Sequence, residues 1–170
     1  IGSFFAYKQV ELLVSAFPLL PDYRLVCVSK AAPAIQQGLR KHLTEQSQLE
    51  FLNGATDEEI TELMKRSAAL VTASTHEGFG LPILEAMACG CPVISSTRGS
   101  LAEVVADAAR TVEPEKVEDI EAALRDLATD GSARDRLRAA GFRNARRFDW
   151  DDNARQVLEV YRRAVADRKP

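Results

Sequence analysis

The sequence of 170 residues is 46% hydrophobic and 28% charged, which indicates one soluble globular domain and excludes a disordered or fibrous chain. Its 22 basic and 25 acidic residues leave a net charge of -3, so a nucleic-acid-binding surface is not expected. Residues 131–170 are locally basic, with eleven basic and six acidic side chains, which we interpret as solvated helix faces. The alternative interpretation is a weak peripheral contact with an anionic membrane.

Cysteine content and hydropathy favour a cytoplasmic protein. Cys27, Cys89 and Cys91 are odd in number and lack the spacing of a secreted disulfide framework, which favours a reducing compartment. No second pair of cysteine or histidine ligands accompanies Cys89 and Cys91, so we expect buried packing there and no metal site. No apolar run approaches the ~18 residues of a membrane span.

Five short apolar runs, rich in β-branched residues, predict strands. In chain order they cover residues 24–29, 49–52, 69–74, 92–96 and 109–112, of which the last is the weakest. Runs that are apolar on both faces suit a parallel sheet covered by helices on both sides.

Apolar residues at helical spacing lie around and between these runs. They predict helices that include residues 10–17, 60–64, 124–127, 137–140 and 157–165. Strand–helix alternation at this spacing predicts right-handed βαβ units, and hence an α/β fold with a doubly wound, Rossmann-like parallel sheet. Ligands in such folds bind beyond the carboxyl ends of the strands.

Local signals place several helix starts. Thr56 with Glu59, and Ser100 with Glu103, each have the spacing of a capping box, in which a hydroxyl and a carboxylate satisfy free N–H groups. Pro82 suits a first helical position.

The first three residues, Ile1-Gly2-Ser3, have the pattern of a strand end that enters a glycine turn. The strand itself is largely missing, and we interpret the chain as part of a longer protein. If that strand is central in the fold, its loss leaves a gap in the sheet or an unpaired edge.

The segment from Ser74 to Glu85 carries the chemistry. It follows an apolar strand and opens a helix at Pro82, after Gly78 and Gly80, whose backbone can approach a ligand closely. Free N–H groups at a helix start, expected here on Ile83 and Leu84, lie at the positive end of the helix dipole. Together these features predict an anion site suited to phosphate.

Two carboxylates flank this site. Glu77 precedes the glycines, where it could accept hydrogen bonds from the hydroxyls of a bound sugar. Glu85 lies one turn into the helix, where it could reach a ribose diol. The alternative for Glu85 is compensation of the helix dipole, worth ~0.3–1 kcal/mol.

The block from Glu77 to Glu85, with Gly-Phe-Gly-Leu-Pro between the two acids, resembles the donor-binding signature of retaining glycosyltransferases of family 4, which have the GT-B fold. Residues 86–94, 99–104 and 147–150 also match the family pattern. The resemblance implies that residues 1–170 are the C-terminal, nucleotide-sugar-binding domain of a mannosyltransferase-like enzyme. Residues 150–167 would form its terminal crossover helix, and an absent N-terminal domain would bind the acceptor.

The resemblance also assigns roles to individual residues. Glu77 would contact the transferred hexose and Glu85 the ribose. Lys8 would bind the diphosphate, although a solvated lysine on the first helix is the alternative. Four consecutive residues would hold the sugar and the diphosphate through their backbone, namely Gly78, Phe79, Gly80 and Leu81.

The sequence departs from the family pattern in the first turn. Ser3 and Tyr7 stand where an arginine that contacts the diphosphate is usual in one or another branch of the family. A charge-assisted hydrogen bond contributes ~1.5–3 kcal/mol, so its loss would weaken donor binding or catalysis by about one to two powers of ten. Thr56 lies in the loop that flanks the nucleobase in this family, but its capping role is the alternative explanation.

The implied reaction is transfer of a hexose from a nucleoside-diphosphate sugar to a sugar or lipid acceptor, with retention at the anomeric carbon and no metal or other cofactor. The opening residues favour GDP-mannose, and polysaccharide biosynthesis is the typical setting. The isolated domain is expected to transfer nothing. A GT-B sugar-nucleotide epimerase and a donor-binding module without activity are the alternatives. A glycosidase pair is disfavoured, because Glu77 and Glu85 share one loop–helix unit instead of facing each other.

Overall fold

The computed structural model describes residues 1–17, 20, 22–45 and 47–167, in which short strands alternate with helices. The strands are Arg24–Val28 (β1), Gln48–Leu52 (β2), Leu70–Thr72 (β3), Val93–Ser95 (β4) and Arg110–Thr111 (β5). The α-helices are Val10–Ala16 (α1), Pro33–Arg40 (α2), Asp57–Arg66 (α3), Leu81–Ala88 (α4), Leu101–Val105 (α5), Val117–Thr129 (α6), Gly131–Ala145 (α7) and Trp150–Ala166 (α8). One turn of 3-10 helix, Ala6–Lys8, precedes α1.

Every strand pair formed by the described residues is parallel. β1 pairs with β2, with Arg24 opposite Gln48. β4 lies between β3 and β5, with Leu70 opposite Val93. Four of the five apolar runs contain one strand each, and the run 49–52 lies within β2, which begins one residue earlier at Gln48. The predicted parallel α/β fold is confirmed.

The sheet is interrupted between β1 and β3, which share no strand pairing within the part of the chain that the structure describes. Residues of both strands, among them Val26 and Leu70, line one cavity of about 330 Å³ and a second of about 420 Å³. The backbone N–H of Gly2 donates to the carbonyl of Val28 at 3.1 Å, so the first residues lie beside the carboxyl end of β1. A gap in the sheet is one of the two outcomes expected if a central strand is missing, and the other is an unpaired edge.

Helix α4 is fixed in the core by its neighbours. Its residues Ile83 and Met87 are buried in one cluster with Val93 of β4 and Val104 of α5. Helix α7 approaches closely at Gly141, where an added Cβ atom would lie 3.2 Å from the Cγ atom of Met87. Because α4 is held on these faces, the loop that leads from β3 into α4 ends at a rigid point.

Three local predictions have different outcomes. Thr56 and Glu59 form the predicted capping box at the start of α3. Pro82 is the second residue of α4, not the first. The predicted box of Ser100 and Glu103 is wrong, because the Ser100 side chain makes no capping hydrogen bond to α5.

The basic C-terminal segment forms α7 and α8. Several of its arginines pair with acids one turn away on the same helix, such as Arg155 with Asp152 at 3.4 Å and Arg163 with Glu159 at 3.1 Å. Such pairs are typical of solvated helix faces. Within the described ranges, no helix has both the length and the apolar character needed to cross a membrane.

Candidate functional site

Lys8 and Glu77 form an ion pair at the centre of the predicted site. The Nζ atom of Lys8 lies 2.6 Å from Oε1 of Glu77, and only 19% and 17% of the two side chains are exposed. Lys8 ends the 3-10 turn, and Gln9 then adopts a left-handed conformation (φ 50°) before α1 begins. The structure therefore brings together the two residues to which the family resemblance assigns the hexose and the diphosphate.

Two serine hydroxyls donate hydrogen bonds to Glu77. The hydroxyl of Ser74 donates to Oε1 of Glu77 at 2.7 Å, so this oxygen accepts from both Ser74 and Lys8. The hydroxyl of Ser100 donates to the backbone carbonyl of Glu77, also at 2.7 Å. The Ser100 side chain thus stabilises the loop that carries Glu77, instead of capping α5 as predicted.

The loop between Glu77 and α4 presents free backbone donors. None of the N–H groups of residues 78–81 donates to a protein acceptor among the residues that the structure describes. The N–H of Ile83, which we expected to be free, instead donates to the carbonyl of Gly80 at 3.0 Å. The prediction for Ile83 is therefore wrong, and free donors lie at residues 78–81, just before the positive end of the α4 dipole.

Gly80 is required by the turn into α4. Its φ of 103° lies in the left-handed region, where a side chain is strained. An added Cβ atom would also lie 2.8 Å from Cδ2 of Leu101 in α5. A side chain at this position would therefore strain the turn and push against Leu101.

The larger part of the predicted site surrounds the cavity of about 330 Å³. The apolar edges of β1 and β3 line the same cavity, so part of its volume belongs to the interruption of the sheet. Its lining includes six residues predicted for the site: Ser3, Lys8, Glu77, Phe79, Gly80 and Leu81.

Three predicted residues do not line this cavity. Gly78 is exposed in the loop, and Glu85 is exposed on α4. Thr56 caps α3, where its hydroxyl accepts from the N–H of Glu59 at 3.2 Å. The roles of Glu85 and Thr56 stay predictions.

Aromatic contacts border the ion pair. The Tyr7 ring lies 4.3 Å from the His76 ring between centroids, and Nζ of Lys8 lies 5.2 Å from the Tyr7 centroid. The N–H of Thr75 donates to the carbonyl of Tyr7 at 2.8 Å, which ties the first turn to the loop after β3. Tyr7 thus helps to place Lys8 next to Glu77. The sequence pattern does not predict this role, because it marks Tyr7 only as a position where an arginine is usual in the family.

Most of the chain matches a known family. Residues 1–144 match the family model described as glycosyl transferases group 1. The O-antigen chain mannosyltransferase B of Escherichia coli is 33% identical over 174 residues. That alignment covers 95% of this chain but 44% of the mannosyltransferase, so the chain spans less than half of that relative.

Solved structures show the same fold. Sucrose-phosphate synthase from Thermosynechococcus elongatus has a TM-score of 0.85 at 26% identity, covering 98% of this chain and 44% of the synthase. The C-terminal domain of a group 1 family glycosyl transferase (LpcC) from Francisella tularensis has a TM-score of 0.72 at 28% identity. The match covers 85% of this chain and 80% of that C-terminal domain.

Proposed function

Since this chain belongs to the group 1 glycosyl transferases and is the C-terminal domain of a GT-B fold, we propose that it binds the sugar donor of a retaining hexosyltransferase. The donor is a nucleoside-diphosphate sugar, and an N-terminal domain binds the sugar or lipid acceptor. The observation that carries the proposal is the contact between Lys8 and Glu77 beside the free N–H groups of residues 78–81.

The diphosphate occupies the space between Lys8 and the free backbone donors. An anion there accepts hydrogen bonds from the N–H groups of residues 78–81 and lies near the positive end of the α4 dipole. Lys8 adds a full positive charge in a partly buried environment, where electrostatic interactions are stronger than in water. Ser3 lines the same cavity and offers a hydroxyl where an arginine is usual in the family.

Glu77 holds the transferred hexose. Its Oε1 atom accepts from Lys8 and Ser74, whereas its Oε2 atom accepts from no protein group among the described residues. Oε2 can therefore accept hydrogen bonds from sugar hydroxyls without breaking the contact with Ser74. Glu85 would bind the ribose and Thr56 would lie beside the nucleobase, as the family resemblance implies.

The chemical step breaks the bond between the anomeric carbon and the diphosphate oxygen. The leaving diphosphate gains negative charge, which Lys8 and the backbone N–H groups stabilise because they are already oriented. Positive charge develops on the hexose ring, beside the carboxylate of Glu77. The acceptor hydroxyl then forms the new bond to the anomeric carbon on the same face of the sugar, and its proton passes to the oxygen of the leaving diphosphate. No metal or further cofactor is part of the proposal.

The relatives favour a mannose donor, and the cytoplasm stays the compartment that the cysteine pattern of the sequence favours. O-antigen chain mannosyltransferase B, a relative at 33% identity, is named for mannosyl transfer, and this supports GDP-mannose as donor and polysaccharide assembly as the setting. The arginine pairs on α8 support a solvated surface there more than a membrane contact. Because the acceptor site would lie in the other domain, this chain alone would bind the donor and transfer nothing.

A donor-binding module without activity is the second candidate. Lys8 is the one basic side chain that lines the cavity among the described residues, and an aromatic ring stands at Tyr7. Without the arginine that is usual in the family, the site has fewer positive charges to stabilise the leaving diphosphate. Assay of the longer protein with an acceptor, by analysis of its products, would distinguish transferase, epimerase and inactive module.

Calorimetric titration of this chain with GDP and UDP tests the donor site. We expect binding of one nucleoside diphosphate, and a loss of about tenfold or more in affinity for Lys8→Met. Lys65→Met is the matched control, because Lys65 pairs with Glu62 on the exposed surface of α3. Absence of binding by the unmodified chain at millimolar GDP and UDP would contradict the proposal.

A further inference from the structure

Buried hydroxyl groups behind Glu77 connect the carboxyl ends of two neighbouring strands. Ser74 follows β3 and Ser96 follows β4, and both are fully buried at 0% exposure. The hydroxyl of Ser96 donates to the backbone carbonyl of Ser74. Ser74 is thus fixed from the core side, while its own hydroxyl faces Glu77 at 2.7 Å.

The direction of the Ser74 hydrogen bond follows from the groups involved. An ionised carboxylate can only accept, so the Ser74 proton points to Oε1 of Glu77. The hydroxyl of Thr72 lies 3.2 Å from Oγ of Ser74 and can donate to it. Ser74 therefore commits its one proton to Glu77 and has an acceptor position left for Thr72.

Lys8 and Ser74 donate to the same carboxylate oxygen, but they do not have the same freedom. Lys8 is the cation that the diphosphate would also attract, and its long side chain can turn toward a bound anion. The short side chain of Ser74 is locked in the core and cannot follow. When the diphosphate draws Lys8 away, Ser74 remains as the donor on Oε1.

We propose that Ser74 is a positioning residue that keeps the carboxylate of Glu77 aimed at the hexose after Lys8 has turned to the diphosphate. This inference rests on the proposed function, in which Glu77 binds the hexose. It predicts that Ser74 contributes to recognition of the sugar and leaves recognition of the nucleoside diphosphate alone unchanged.

The test compares two ligands that differ only in the sugar. Calorimetry on this chain gives the dissociation constants of GDP and GDP-mannose, or of UDP and UDP-glucose if the base is uracil. The ratio of the two constants measures what the hexose adds to binding. In Ser74→Ala we expect that ratio to fall about tenfold, whereas the affinity for the nucleoside diphosphate stays within about twofold of the unmodified chain.

Ser95→Ala is the matched control. Ser95 is also fully buried, but its hydroxyl donates to the carbonyl of Ser96 and does not contact Glu77. The Ser95→Ala variant should lose stability as Ser74→Ala does, but its ratio of the two dissociation constants should equal that of the unmodified chain. If Ser74→Ala does not fold, Ser74→Cys fills the buried volume with a much weaker donor and should show the same loss.

The possible outcomes distinguish a failure of the positioning role of Ser74 from a failure of the proposed donor site. If Ser74→Ala or Ser74→Cys keeps the full effect of the hexose, the positioning role is wrong and the donor site stands. If the unmodified chain binds the nucleoside diphosphate but gains nothing from the hexose, the role of Glu77 is wrong, and the inference fails with it. If the unmodified chain binds neither ligand, the donor site itself is refuted.

Discussion

The ammonium group of Lys8 and the carboxylate of Glu77, 69 positions apart in the sequence, lie 2.6 Å from each other with less than a fifth of either side chain exposed. Each group satisfies the charge of the other when no ligand is present. A bound diphosphate therefore has to compete with Glu77 for Lys8.

The same contact predicts an energetic coupling between the two residues. Lys8→Met leaves a partly buried carboxylate without its cation, and we expect the free energy of unfolding to fall by about 1–3 kcal/mol. In the double variant with Glu77→Gln the losses should not add, which gives a coupling of about 1 kcal/mol. Denaturant unfolding of the unmodified chain, the two single variants and the double variant measures this coupling energy.

The Lys65–Glu62 pair on the exposed surface of α3 is the control and should show no measurable coupling. If the losses at Lys8 and Glu77 add strictly, the ion pair is contradicted.

Gly80 provides a test of the turn that shapes the site. Gly80→Ala combines a strained φ of 103° with a Cβ atom 2.8 Å from Leu101, so we expect a loss of about 2–4 kcal/mol of stability. Gly38→Ala is the matched control, because Gly38 lies inside α2 with nothing within 4 Å of an added Cβ. It should gain about 0.5–1 kcal/mol. Equal effects in the two variants, measured by denaturant unfolding, would show that the turn tolerates a side chain.

The elements that could be predicted from the sequence are those whose signal is local. The run at residues 92–96 is apolar and β-branched, and it contains β4. The box of Thr56 and Glu59 needs only residues three positions apart, and it is present. The apolar pattern does not predict helix α2, because Pro33–Arg40 has only two large apolar residues, Ile35 and Leu39, and because Gly38 lowers its helix propensity.

The contacts of the site depend on tertiary structure, which local patterns do not encode. Ser100 has the spacing of a capping box, yet its hydroxyl donates to Glu77, 23 positions earlier in the chain. Ser74 belongs to the same motif segment as Glu77, and its spacing alone did not indicate the contact with Oε1. The family resemblance nominated Lys8 and Glu77, but only the packing of the first turn against the loop after β3 shows that they meet.

Glu85 is exposed on α4 and does not line the cavity beside Glu77, so its proposed contact with the ribose needs a direct test. We expect Glu85→Gln to weaken binding of GDP or UDP about tenfold, because a hydrogen bond from a ribose hydroxyl to a charged group is replaced by a neutral one. Binding of inorganic pyrophosphate, which has no ribose, should not change. Glu103→Gln, at an exposed position on α5, is the control. Equal weakening of pyrophosphate binding would instead indicate that Glu85 acts on the loop and not on the ribose.

Cys91 predicts a change of stability at alkaline pH. Its side chain is 2% exposed, and burial raises the pKa of the thiol from 9.0 to about 11. The folded state therefore favours the protonated thiol, whose Sγ atom lies 3.5 Å from the carbonyl of Pro92. This contribution is complete below the unfolded pKa near 9 and is lost as the pH rises through the folded pKa near 11.

Cys91→Ala removes this titration and isolates its effect from that of other alkaline groups. The variant should be less stable at pH 8, because it leaves a small cavity beside β4. Between pH 8 and pH 11 the unmodified chain should lose about 2 kcal/mol more than the variant, as measured by urea unfolding at a series of pH values. Parallel pH profiles for the two proteins would mean that the thiolate forms in the folded state as easily as in the unfolded chain, and that Cys91 is not held in an apolar environment.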